Sequence, residues 1–192
     1  MNIVRLAAAA AGGYAAGTIP SADIACRLAT QGTVDIRTTG SGNPGAMNAI
    51  AVLGKKWGYG VMAADVAKGV AASTFGRRLA GPTGAHIAGT AAVVGHCYPA
   101  WNGFKGGKGV ATGVGQCVAT FPAGVPGNVA VAALASRARS ATALGSLAWV
   151  LGAVLWWRRR LPNGWGPSPT VALPLAAAAS SAVILRRFYG SN

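Results

Sequence analysis

Very little of this sequence is suited to facing water. From about residue 3 to residue 185 it passes through one apolar stretch after another, rich in Ala, Val, Leu and Gly. Short clusters of Lys and Arg separate the stretches, and only three carboxylates, Asp23, Asp35 and Asp65, interrupt them. Charged residues make up 10% of the chain, against roughly 25% in an average soluble domain. A membrane-spanning helix needs about 20 mostly apolar residues, and a helix satisfies its own backbone polar groups in lipid. The pattern therefore predicts an all-α, polytopic membrane protein, with residues 1–192 forming one domain and the lipid bilayer as its main partner.

Seven spans are predicted, at roughly 3–28, 57–76, 83–99, 108–122, 127–136, 141–157 and 168–185. Pro20 should kink the first. The fourth is short and Gly-rich, and the fifth covers only about ten residues. Residues 29–56 form a polar segment in which Pro44 suits the first turn of a helix. Asp23 is four residues from Arg27, a spacing that predicts an ion pair. Asp65 and Lys68 are three apart in an otherwise apolar helix, where each ionised group costs about 2.5–3.5 kcal/mol at mid-membrane. They should face the protein interior as a structural pair, with contact to substrate as the alternative.

The 17 Lys and Arg give a net charge of +14. Such an excess can orient a membrane protein and attract anionic lipid heads, or attract an anionic substrate. The basic residues form small groups and no stripe, so nucleic acid is not the expected partner. Seven crossings put residues 29–56, 100–108, 136–140 and 186–192 on one side. That side holds Arg27, Arg37, Lys55, Lys56, Lys105, Lys108, Arg137, Arg139, Arg186 and Arg187, against Arg5, Arg77, Arg78 and Arg158–Arg160 on the other. The majority marks the first side as cytoplasmic. Cys26, Cys97 and Cys117 form no CxxC pattern, so zinc is not expected and the thiols should be free and buried.

Three polar stretches share the cytoplasmic side: Ser41–Asn48, His96–Thr112 and residues 136–147. The second reads Gly95-His96-Cys97-Tyr98-Pro99 and then Phe104-Lys105-Gly106-Gly107-Lys108-Gly109-Val110-Ala111-Thr112. Glycines allow close backbone approach, successive N–H groups can form an anion nest, and lysines add full charges. Together the three stretches point to a phosphorylated small molecule. No Gly-x-Ser-x-Gly elbow is present. Lys108 does not sit in a Walker loop, because Asn102 and Gly109 stand where Gly and Ser or Thr are required. No histidine is followed five residues later by aspartate, since His86 meets Ala91 and His96 meets Trp101. With no paired carboxylates either, the chemistry must use an already activated substrate and electrostatic stabilisation.

Several stretches, in order and spacing, carry a resemblance: Thr18-Ile19-Pro20, Val34-Asp35-Ile36-Arg37, Gly40-Ser41-Gly42-Asn43-Pro44-Gly45-Ala46 with Asn48, Leu53-Gly54-Lys55-Lys56, Asp65 with Lys68-Gly69, and the glycine-lysine stretch. Over about residues 14–115 the chain resembles the PlsY family of bacterial acyl-phosphate:glycerol-3-phosphate acyltransferases. The resemblance implies seven helices in the bacterial plasma membrane and a site at the cytoplasmic face. It implies acyl transfer from acyl phosphate to the 1-hydroxyl of glycerol 3-phosphate, giving lysophosphatidic acid and phosphate, with no metal, coenzyme A or other cofactor. The donor phosphate itself would take the alcohol proton.

By the same resemblance Lys108, Ser41 and His96 are the candidate catalytic residues. Lys108 and the glycine amides would hold phosphate, while His96 would orient the loop rather than act as a base. Gly42, Asn43, Gly45, Asn48, Lys105, Gly106, Gly107, Gly109, Thr112 and Ser146 would bind substrate. The chain departs from the family pattern at Met47, where Thr is usual, and at Ala51, where an arginine is usual. It departs again at Ala143, where Ser is usual, and over Ser180–Ile184, where a histidine and an asparagine are missing and Val183 stands instead. Arg139 or Arg187 could restore the missing arginine charge. The departures leave a second reading open: a non-catalytic relative that binds acyl phosphate or a lipid headgroup, or that acts as a partner subunit.

Overall fold

The computed structural model describes residues 2–136, 138 and 140–190. Among these residues the regular elements are all helices: α1 (Ile3–Gly17), α2 (Ser21–Thr30), α3 (Ala46–Leu53), α4 (Lys55–Cys97), α5 (Val110–Thr120), α6 (Val125–Leu134), α7 (Ala141–Arg159) and α8 (Ala172–Tyr189). Short 3-10 turns at Ala100–Asn102 and Pro122–Gly124 join neighbours.

The first predicted span is two helices. The Asn2 carboxamide opens α1 by accepting from the N–H groups of Val4 and Arg5 at 3.0 and 3.3 Å. α1 ends at Gly17, and α2 starts at Ser21. Pro20 has no N–H to donate and disfavours helical backbone at Ile19. The Thr18 hydroxyl donates to the Ala15 carbonyl at 2.6 Å and closes the last turn. Pro44 likewise falls outside a helix: α3 begins at Ala46 with the extended Gly45 as its cap. The polar segment thus contains a helix, but a later one than Pro44 suggested.

α4 combines the second and third predicted spans. It breaks at Ala80 (φ −139°, ψ 23°) and Gly81 (φ 67°, ψ −157°), just before Pro82. The left-handed φ at Gly81 suits glycine, and the chain turns back so that Gly76 packs on Gly84. The limbs 55–79 and 82–97 therefore form a helical hairpin. α5 and the segment Pro122–Leu134 meet at 117°. No single described helix is long and apolar enough to cross a membrane alone, while this bent pair meets the length and composition together.

The bundle has two ends. Gly17, Lys55, Cys97, Val110, Ala141 and Tyr189 lie at the end that carries the glycine loop, the loop end. Ile3, the α4 break, Thr120, Arg159 and Ala172 lie at the distal end. Glycines set the helix spacing: Gly13 and Gly17 of α1 rest on the backbone of Ala88 and Ala92 in α4, and Gly69 of α4 rests on Thr112 of α5. Small residues of this kind let helix backbones approach closely in lipid. A core of Val93, Cys97, Phe121, Trp149, Leu173 and Ile184 fills the space among α4, α5, α7 and α8. Cys26, Cys97 and Cys117 are buried and free, as expected.

Two alanine substitutions should have opposite signs. A Cβ at Gly13 would enter the Ala88 backbone, whereas one at Gly60 meets nothing within 4 Å. Overpacking costs about 1–3 kcal/mol, and replacing an exposed helical Gly by Ala gains about 0.5–1 kcal/mol. Thermal unfolding in detergent should therefore show Gly13→Ala melting below the wild type and Gly60→Ala at or above it.

Candidate active site

Residues 36–45 have no regular structure, yet one buried side chain fixes their path. The Asn48 amide donates to the carbonyls of Ile36 and Thr39, both at 3.0 Å, and its oxygen accepts from the Ser41 N–H at 2.8 Å. Gly40 and Gly42 turn the chain with φ of 64° and 68°. A Cβ at Gly40 would enter the Asn48 amide. Asn48, expected to bind substrate, thus acts on the loop that carries Ser41. Ser41 itself is exposed, and its hydroxyl accepts from the Asn43 N–H at 3.4 Å. Gly45 is buried beside Asn43.

Arg37 leaves this loop and binds two other elements. Its Nε and Nη2 grip the two oxygens of Asp23 at 2.6 and 2.9 Å, and Nη1 donates to the Lys105 carbonyl at 2.6 Å. The partner of Asp23 is therefore Arg37, across the loop, and not Arg27 on its own helix. Arg27 is exposed. The planar guanidinium matches a carboxylate with two parallel bonds and still has a donor for the carbonyl.

The glycine stretch is anchored by its backbone. The Tyr14 hydroxyl of α1 donates to the Tyr98 carbonyl at 2.8 Å and accepts from the Ala100 N–H at 3.0 Å. The N–H groups of Gly106 and Gly107 donate to the carbonyls of Cys97 and His96, both at 3.1 Å. These two amides are thus committed inward and do not form the anion nest their sequence suggested. Their carbonyls are held as well: Arg187 of α8 donates from Nη2 to Gly106 at 2.6 Å and from Nε to Gly107 at 3.4 Å. The start of α5 follows directly. Gly109, with φ of 82°, is its cap, and the first N–H groups of a helix lack intrahelical partners. Lys108 precedes that cap, and its ammonium lies over the Phe188 ring, 4.1 Å from the centroid. Lys105 is exposed.

Beneath the loop lies a cleft of about 260 Å³, lined by Thr18, Arg37, Lys68, His96, Gly106 and Gly107 among others. Asp65 and Lys68 pair at 2.9 Å inside it, with Lys68 also donating to the Ile19 carbonyl at 3.0 Å. The expected interior pair is present, and it also ties α4 to the α1–α2 break. The His96 imidazole nitrogen Nδ1 is 3.7 Å from Asp65, and a Cβ at Gly107 would strike the ring. His96 thus lies directly under the loop. The charged groups that act on it are Lys68, Asp65 and Arg187.

A second, apolar hollow of about 740 Å³ opens on the other side of α5, walled by Val110, Gly113, Ser146, Trp149 and Ile184. Ser146 is therefore near the first turns of α5 rather than in the cleft. Thr112 is fully buried within α5. Arg139 lies outside the described residues. Sequence reasoning passed over Tyr14 and the site role of Arg37. Tyr14 did have a signal, as a phenol in a run of Ala and Gly. Arg37 stood in a quoted motif, but its two partners are 14 and 68 positions away.

Asn48→Ala would leave the Ser41 N–H and two carbonyls without a partner, at about 1–3 kcal/mol for an unsatisfied buried group. Hydrogen–deuterium exchange should quicken across residues 36–42 while the α4 and α8 amides keep their protection.

The family model described as glycerol-3-phosphate acyltransferase matches residues 7–189. A glycerol-3-phosphate acyltransferase of Maricaulis maris is 42% identical over 156 residues, 79% of this chain and 71% of that one. One of Thermoanaerobacter pseudethanolicus is 40% identical over 148 residues, 75% of this chain and 74% of that one. A crystal structure of PlsY, an integral membrane glycerol 3-phosphate acyltransferase, in its glycerol 3-phosphate form, superposes with a TM-score of 0.73 at 28% identity, covering 94% of this chain and 88% of that one. The lysophosphatidic acid form gives a TM-score of 0.76 at 27% identity, covering 96% and 88%.

Proposed function

Because the chain belongs to the glycerol-3-phosphate acyltransferase family, we propose that it transfers a fatty acyl group from acyl phosphate to the 1-hydroxyl of glycerol 3-phosphate. The observation that carries this reading is the start of α5. One turn joins the N-terminus of α5, whose first N–H groups lack intrahelical partners and which Lys108 precedes, to an apolar hollow that begins at Val110. A helix N-terminus favours a phosphate, and the hollow suits a hydrocarbon chain. A ligand with a charged phosphate head directly on an acyl tail fits both at once.

Acyl phosphate is a mixed anhydride, so no protein nucleophile is required. The 1-hydroxyl oxygen attacks the acyl carbon and the bond from that carbon to the phosphate oxygen breaks. The hydroxyl proton passes to the departing phosphate. Lysophosphatidic acid and inorganic phosphate leave. The role of the chain is then orientation and charge stabilisation: Lys108 and the α5 amides at the phosphate, Ser41 and Asn43 at the rim, and His96 as a support under the loop. Arg187 supplies positive charge beside Gly106 from α8, where Ala51 supplies none from α3. The majority of Lys and Arg at the loop end supports the cytoplasmic face of a bacterial plasma membrane as its side.

Purified protein in lipid membranes, given palmitoyl phosphate and glycerol 3-phosphate, should release lysophosphatidic acid and phosphate in equal amounts. Lys108→Met should lower turnover by about 10²–10³-fold, the usual loss of one transition-state donor, with the melting temperature kept. Arg187→Ala should reduce turnover by about tenfold or more through a displaced loop. Stabilisation of the wild type by palmitoyl phosphate with no acyl transfer at any donor level would overturn the enzyme reading and favour the binding relative.

A further inference from the structure

The end of the bundle farthest from the glycine loop has its own charge pattern. Arg5 lies in the first turn of α1, Arg77 and Arg78 precede the α4 break, and Arg158–Arg160 close α7. None of the three carboxylates is there: Asp23 and Asp65 line the loop-end cleft, and Asp35 lies two residues before Arg37 in the loop-end segment. Lysine is absent from the distal end too, since Lys55, Lys56, Lys68, Lys105 and Lys108 all belong to the loop end. The distal end therefore carries arginine alone, without an acid to neutralise it.

Indole rings frame these arginines. Trp156 donates its N–H to the Pro162 carbonyl at 3.0 Å, and Trp165 donates to the Val118 carbonyl at 3.0 Å while remaining 69% exposed. Arg77 donates to the Trp165 carbonyl at 2.7 Å, joining the α4 break to the α7–α8 connection. That connection is held in shape by buried Asn163, whose amide donates to the carbonyls of Thr120 and Pro167 at 3.0 and 2.7 Å. It encloses a hollow of about 1360 Å³ whose wall includes Trp157, Arg160, Ser168 and Thr170. Cation, indole and hydroxyl donors thus surround one open depression.

We propose that this distal end binds the phosphodiester headgroups of anionic phospholipids, in the leaflet opposite the one the glycine loop faces. Arginine recognises a phosphate through a planar fork of donors, which lysine cannot do. Indoles with their N–H groups already committed to backbone offer their rings at the depth where lipid heads begin. The lipid also resolves a conflict in the charge distribution. Arginines on the side away from the cytoplasm oppose the usual orientation rule, and phosphodiesters on that leaflet remove the opposition.

The test is native mass spectrometry of the protein purified in detergent with equal amounts of phosphatidylglycerol and phosphatidylcholine. Each surface arginine near an anionic membrane contributes about fivefold in partitioning. The wild type should retain phosphatidylglycerol over phosphatidylcholine by at least about that factor. The R158Q/R159Q/R160Q variant should lose the preference, and so in part should R77Q/R78Q, while K55Q/K56Q at the loop end keeps it. The two arginine variants are measured together, so that misfolding of either leaves the other as the readout. Equal retention of both lipids by the wild type would overturn the proposal. So would an unchanged preference in the arginine variants, or displacement of phosphatidylglycerol by excess inorganic phosphate.

Discussion

The site depends on how the backbone of the glycine loop is held. Its amides at Gly106 and Gly107 turn inward to the carbonyls at the end of α4, and its carbonyls are gripped from outside by Arg37 and Arg187. A loop bonded on both sides cannot rotate its peptide planes to meet a ligand. It acts as a fixed ledge. The polar groups left over are those of the next segment, where Gly109 changes the direction of the chain and α5 begins. The glycines serve close packing more than anion binding: a Cβ at Gly106 would strike the His96 carbonyl, and one at Gly107 the His96 ring.

The acids follow the same logic. Asp23 neutralises Arg37 and Asp65 neutralises Lys68, so each carboxylate removes one positive charge that serves architecture. A buried ion pair adds little net stability, because desolvation offsets attraction, but loss of one partner leaves a charge stranded. Such a pair therefore fixes position more than it stabilises. Here the Lys68–Ile19 bond fixes the α1–α2 break against α4. Lys108 lies over the Phe188 ring and Arg187 holds the Gly106 and Gly107 carbonyls, so both cations sit beside the loop.

Much of this architecture was legible in the sequence because its cause is local. Apolar runs gave the helical class and the order of the spans, though not the number of helices, and the two long polar motifs gave the end at which the site lies. The break between α1 and α2 was less visible. Pro20 allows either a kink or a stop; the chain stops there, and the Lys68 ammonium holds the break by bonding to Ile19 from 49 positions away. The partner of Asp23 was illegible for the same reason. A spacing of four suggested Arg27, but a folded loop brought Arg37 nearer. The nest failed because a run of glycines states that amides can approach a ligand, and not whether other carbonyls already hold them.

The departures at the acceptor side have a physical reading of the same kind. Met47 and Ala51 are exposed on α3, so neither carries a fold requirement that would explain its identity. Ser180, near the position of the missing histidine, donates to Gln116 at 2.7 Å and lies fully buried in the bundle. That part of α8 has turned to interior packing. Arg187 lies seven residues further on, two turns or about 10 Å along the helix axis, and it is the residue that reaches the loop. A phosphate responds to charge and donor geometry at its own position, and not to which helix supplies them. A pocket that loses an arginine from α3 can therefore keep its anion if α8 brings another within bonding distance of the same ledge, and the 2.6 Å contact of Arg187 with Gly106 is of that kind.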